Sequence, residues 1–237
     1  MELVLDRVPL RVDALFFAAV LGVLALLVLA VRVVAQRTGQ AADLWTMRAA
    51  TGAMLWLVAT GLAAFSDSLR SFSLSLFTAL MILTGGAAFS RMGVVLMAAV
   101  GPVLLIGFQF FRVPVAMFLQ GMYQAGQAPV QMTYAGLNFD IFVGLTAPAM
   151  AWLVWRGKVG SYAIWAWNAF GLVLLAEAIV IAALSMPTEF RVFTNEPAST
   201  FATYAPYVWL PTVLAPAALF GHLLVLRWLS SSCSGSR

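Results

Sequence analysis

Long apolar runs separated by short charged turns are what most constrain this chain. They fall at 14–34, 49–65, 71–90, 92–111, 137–155, 162–184 and 205–228. A helix of about 20 such residues, rising about 1.5 Å each, crosses a hydrocarbon core about 30 Å thick. The expectation is an all-α integral membrane protein, one domain of seven transmembrane helices over 14–228. Composition agrees: 63% of residues are hydrophobic and 9% charged, against about 25% charged in soluble domains. The lipid bilayer is therefore its first partner, in a cell membrane, with the bacterial inner membrane as the expected one.

Orientation follows from the basic residues. The side carrying Arg32, Arg37, Arg48, Arg91, Arg156, Lys158, Arg227 and Arg237 has eight; the side carrying Arg7, Arg11, Arg70, Arg112 and Arg191 has five. The richer side is expected to be cytoplasmic. That places the N-terminal lead, residues 1–13, outside the cell and residues 229–237 inside as a flexible tail. The lead carries three acids and two arginines, whereas a cleaved signal peptide has a basic start and a shorter apolar core, so the first helix is read as retained. Trp152, Trp155, Tyr162 and Trp165 mark one interface, and Tyr204, Tyr207 and Trp209 the other.

Several function classes drop out. One cysteine (Cys233) and one histidine (His222) supply neither a disulfide nor a multi-ligand metal, haem or iron–sulfur site. No cofactor or metal is expected. The basic residues stand singly at segment ends, which is topology signalling and not a nucleic-acid surface. Seven helices in this orientation suit a retinal protein, but the one lysine, Lys158, lies in a loop and cannot form the Schiff base within the bundle.

Ionisable groups inside a bilayer cost about 2.5–3.5 kcal/mol on insertion scales and are expected to face the bundle interior with a partner. Glu177, within Leu-Leu-Ala-Glu-Ala-Ile-Val-Ile, is the strongest candidate, about 10 Å below the outer end of its helix at helical rise. Burial disfavours its charged form, and it is expected to face Asp140 or the hydroxyls of the third helix. Asp140 opens the neighbouring helix on a face continued by Gly144, Ala147 and Ala151, small residues that admit close helix approach. Asp67 and Arg70 stand at the outer turn before the polar stripe Ser71, Ser75 and Thr78, and Gln109 and Arg112 at the outer end of the fourth span. With Asn138 these form a cavity open to the outside or, on the plainer reading, a set of satisfied ion pairs. His222 lies deeper, on a face with Pro211, Ala215 and Ala218, and reads as a packed, neutral histidine.

From Val113 to Phe139 there are 27 residues without a charge, too apolar for a solvated loop. The segment 113–136 is expected to be membrane-associated, with a short interfacial or re-entrant helix over 113–124 broken at Gly126 and Pro129. Gln120, Gln124, Gln127 and Gln131 are spaced for one helix side. They form its water-facing side or, together with the candidate site, the mouth of the cavity. The outer loop 185–204, with Phe190, Phe193 and Phe201 among acids, is placed to cover that mouth. Pro102, Pro148, Pro211 and Pro216 each remove a backbone donor and predict kinks. The matching Ala-Pro-Ala triplets at 147–149 and 215–217 hint at two three-helix repeats about a linker helix.

The functional expectation is a carrier or receptor for a small polar or amphiphilic solute entering from the outer side, through Glu177, Asp140, Asn138, Gln109, Arg112, Asp67, Arg70, Ser71, Ser75, Gln120 and Gln124. The alternative is a structural, assembly or sensor subunit whose polar groups only fix helix packing, with other membrane subunits or a second copy of the chain as partners. An enzyme ranks last, since no nucleophile–base set and no nucleotide-binding loop is present.

Overall fold

The computed structural model describes residues 8–66 and 73–234, and among them the only regular secondary structure is helical. Nine α-helices appear: α1 (Leu10–Arg37), α2 (Ala42–Ala63), α3 (Ser73–Phe89), α4 (Arg91–Val100), α5 (Pro102–Gly107), α6 (Arg112–Gln124), α7 (Ile141–Trp155), α8 (Ser161–Leu184) and α9 (Ala215–Ser234). Among the described residues four stretches are long and apolar enough to cross a membrane: Leu10–Arg37, Pro102–Gln124, Ser161–Leu184 and Leu210–Ser231. A fifth is available if Ser75–Phe89 and Arg91–Val100, bent by 68°, count as one span; Ile141–Trp155 is apolar but shorter.

The largest departure from the sequence expectation lies in the fourth span. Gly101 has a φ of 78°, a left-handed conformation that suits glycine. Pro102 then starts a new helix, as proline does when its missing N–H falls in the first turn. A run expected over 92–111 is therefore cut: Arg91–Val100 is a short separate helix. The membrane-length stretch begins at Pro102 and continues through a 3₁₀ turn at Phe108–Phe111 into α6, ending at Gln124. Gln109 and Arg112 consequently lie inside a helical rod and not at its end. Helix α6, expected as a short helix of its own, is the second half of that rod. Phe118 and Met122 are fully buried, and Gly121 lies so close to Val12 that a β-carbon there would stand 2.5 Å from Cγ2.

The remaining boundaries shift modestly. Helix α1 starts four residues before the expected Ala14 and α2 seven before Ala49, while α9 runs through Ser234, past the expected end at Trp228 and into the proposed tail. Before α9 the chain forms one wide π-turn at Leu210–Leu214. Pro216 has no N–H for the Thr212 carbonyl, and the Trp56 indole donates to it instead at 3.0 Å.

The two long connections, 125–140 and 185–204, lie at one end of the bundle, here the loop end. Gln131 ties them together, donating to Ser185 Oγ and accepting from Asn195 Nδ2, both at 2.9 Å. Beneath them Phe16, Phe118, Phe201 and Tyr207 interlock, Phe16 and Phe118 with ring centroids 4.7 Å apart. At the opposite end Arg227 donates to the carbonyls of Ala88 and Ser90. The core has two apolar clusters, one around Phe16, Phe118 and Tyr207 and one around Ile106, Val143 and Leu224. Buried polar residues fill the level where the clusters meet.

Candidate functional site

Close helix contact builds the site. The small-residue face of α7 is buried as expected, and it packs on the rod 102–124. A β-carbon on Gly144 would stand 2.9 Å from the Val113 backbone nitrogen, and Gly107 faces Ala151. This approach carries Asp140, at the start of α7, to Arg112. The guanidinium is 2% exposed and its Nη1 lies 3.3 Å from Asp140 Oδ1. Nη1 also donates to the Gly171 carbonyl at 3.5 Å. Nε and Nη2 are buried and have no partner.

Asn138 is a positioning residue. Its Nδ2 donates to the Met132 carbonyl at 3.0 Å, and its Oδ1 accepts from the Asp140 backbone N–H at 3.1 Å. The side chain thus fixes the turn that presents Asp140, as short polar side chains do before helices. Gln109 is fully buried, donating to the Ala218 carbonyl at 3.1 Å, with Oε1 unpartnered.

Arg112 has a second neighbour that the sequence reading set apart. His222 is fully buried, and its Nδ1 lies 2.7 Å from Asn168 Oδ1. Asn168 donates in return to the His222 carbonyl at 3.2 Å. This assigns the Nδ1 proton to the histidine and leaves Nε2 a buried acceptor without a partner. The imidazole rests on Gly171, whose carbonyl Arg112 uses. Asn168, Gly171 and His222 thus join Arg112 and Asp140 in one buried polar group across the rod 102–124, α7, α8 and α9. Gly171, one turn beyond Asn168, and Gly221, which admits the Gln109 amide, were the sequence signals that a polar contact needed room there.

A cavity of about 510 Å³ adjoins this group. Its walls come from α2, α3, α8, the rod and the start of α9, and its loop-end roof includes Met132, Thr188 and Ser199. Most of the lining is alanine, leucine and other apolar side chains. Among the described residues the only charged wall residues are Arg112 and Asp140. The expected set divides on this geometry. Arg112, Asp140 and Asn138 line the cavity; Glu177, Gln109, Gln120, Gln124 and Ser75 do not. Glu177 is half-buried with an unpartnered Oε2 and interacts electrostatically with Asp140, so it borders the group without being its centre. Gln120 is half-buried, and Gln124 and Ser75 are exposed. Of the four glutamines only Gln120 and Gln124 lie on a helix of the expected face; Gln131 is a loop tie. Asp67, Arg70 and Ser71 lie outside the described residues.

The described residues form an all-helical bundle with four or five helices long and apolar enough to cross a membrane, folded around a buried ion pair and an apolar cavity. Residues 69–230 match the family described as Domain of unknown function (DUF8737), and the chain belongs to that family. No curated protein and no solved structure matches it.

Proposed function

We propose that the protein crosses the membrane seven times, N-terminus outside and C-terminus in the cytoplasm, and serves as a carrier or receptor for a small amphiphilic molecule admitted from the outer half. Counting α2, α3 and α7 with the four long spans gives seven passes. The end contacts alternate as such a path requires: Asp13 bonds Tyr207 at the loop end, while Arg37 bonds Ala98 and Arg227 bonds Ala88 at the other. With Arg112 inside the bundle, the five basic residues of the outer side become four against eight, which strengthens the charge bias.

The observation that carries the functional reading is the 510 Å³ cavity with one ion pair in an otherwise apolar wall. Its size lies within the range of about 300–1,000 Å³ usual for small-molecule sites, which combine apolar walls with a few placed polar groups. Such walls favour an amphiphile over a fully polar solute. The test is thermal unfolding of the protein in lipid nanodiscs, followed by tryptophan fluorescence, with dodecanol, laurate and dodecylamine set against glycerol and acetate. Chain-bearing compounds should raise the midpoint and the polar ones should not; if no compound raises it, the reading is wrong. Uptake of the stabilising compound into proteoliposomes then separates a carrier from a receptor.

A further inference from the structure

Resting on that reading, we propose that the cavity takes a single-chain amphiphile with an anionic head, of the carboxylate type, which enters sideways from the outer leaflet and sets its head against Arg112.

The side entry follows from α3. This helix packs on α9 and α4, with no comparable contact to α2 or α8. Yet Leu76, Ala79, Leu80 and Leu83 of α3 form cavity wall together with Thr60 of α2 and Ala178 of α8. The cavity therefore reaches past the edges of α3. The same helix keeps Ile82, which is not part of the cavity wall, exposed, as on a surface facing hydrocarbon. A molecule already dissolved in the leaflet passes beside α3 without crossing the tied loops at the roof.

The head follows from the guanidinium. Asp140 and Gly171 both meet Nη1, at one end of the fork. The Nε–Nη2 side is the edge that accepts a carboxylate through two parallel hydrogen bonds, and both of its nitrogens are buried without partners. A buried donor left unpaired is costly; each of these nitrogens has under 1 Å² accessible, so the head reaches them only as the Arg112 side chain turns toward the cavity it lines, and an anion there satisfies two donors at once. Asp140, 3.3 Å from Nη1, opposes that anion with like charge, and Glu177 borders the pair. Removing the Asp140 charge should tighten the binding of an anionic head and weaken that of a cationic one.

The experiment uses the full chain in nanodiscs of zwitterionic lipid, with binding read from the shift in unfolding midpoint against concentration. Laurate should bind at least about tenfold tighter than dodecylamine or dodecanol, the discrimination that a charge-assisted bidentate pair provides, and acetate should give no shift. In Asp140→Asn the laurate shift should grow while that of dodecylamine shrinks. In the double variant Arg112→Gln/Asp140→Asn, which keeps hydrogen-bonding side chains, the preference for laurate over dodecanol should vanish. Ala79→Trp, which fills the cavity from the peripheral helix, should abolish the laurate shift, while Ile82→Trp, on the exposed side of α3, should leave it intact. Equal binding of all three heads, or a laurate shift unchanged in Asp140→Asn, overturns the anionic assignment and leaves an amphiphile site standing. A laurate shift unchanged in Ala79→Trp, or no shift from any chain, overturns the cavity reading itself.

Discussion

The His222 imidazole lies on Gly171 with no room for a β-carbon between them: one built on that glycine collides with Cε1 and Nε2 of the ring. The ring cannot yield easily, because it is fully buried and held by Asn168. Gly171→Ala should therefore destabilise the protein by about 1–3 kcal/mol, the cost of overpacking a filled interior. Gly22→Ala is the contrast. That position, on the exposed side of α1, has nothing within 4 Å of a β-carbon, and the change should be neutral or stabilising by up to about 1 kcal/mol. Unfolding of both variants in the same detergent checks the sign.

The Arg112–Asp140 pair should show strong coupling. Asp140→Asn leaves the guanidinium buried without its counter-charge, a loss of about 3–5 kcal/mol when one member of a buried pair is removed. Arg112→Gln alone strands the carboxylate. The double variant Arg112→Gln/Asp140→Asn should cost clearly less than the sum of the single variants. Additive costs in a double-mutant cycle of unfolding free energies would show the pair to be energetically idle.

Tyr207 predicts a response at high pH. Its hydroxyl donates to Asp13 Oδ1 at 2.6 Å and joins the start of α1 to the turn that precedes the last long span, at the loop end. Burial first, then the hydrogen bond and the charge of Asp13, push the phenol well above its ordinary value. The folded state thus holds this proton more tightly than the unfolded one. The stability it adds is complete below about pH 10, where a free phenol titrates, and is lost as pH rises through the folded value. Tyr207→Phe should cost about 1.5–3 kcal/mol at neutral pH, the range for a hydrogen bond to a charged group. It should also flatten the decline in stability above pH 10. Midpoints measured from pH 7 to 11 for wild type and variant give both numbers.

Topology has a direct assay. Reporter fusions after Leu69 and Gln127 should report the outside, and those after Gly157 and Ser234 the cytoplasm. A cytoplasmic signal at Gln127 would contradict the crossing of 102–124 and would move Arg112 to the other half of the bilayer.

Much of the architecture was legible because it depends on the solvent. Hydrocarbon demands helices wherever apolar residues run long, and that demand can be read without knowing any contact. The buried face of α7 was legible for a related reason: Gly144, Ala147 and Ala151 repeat at helical spacing, and small residues at that spacing admit a neighbour. Pro102 predicts a kink within a span that ends at Arg112, on the rule that a charge belongs at the membrane surface. That rule fails where the charge has a partner inside.

The sequence by itself determined that this chain is helical, with several segments long and apolar enough to cross a membrane and few ionisable groups to place, and that Asp140 begins a helix made for close packing. Only the tertiary structure decided where Arg112 lies, because its tolerance inside the bundle depends on Asp140, 28 positions further along the chain, and on the Gly171 carbonyl of a third helix. It also decided that His222 belongs with Arg112, and that the cavity wall holds Arg112 and Asp140 but not Glu177. Depth along a single helix can be estimated from rise per residue; the direction a side chain faces depends on how that helix is turned against its neighbours, and no one segment encodes that rotation.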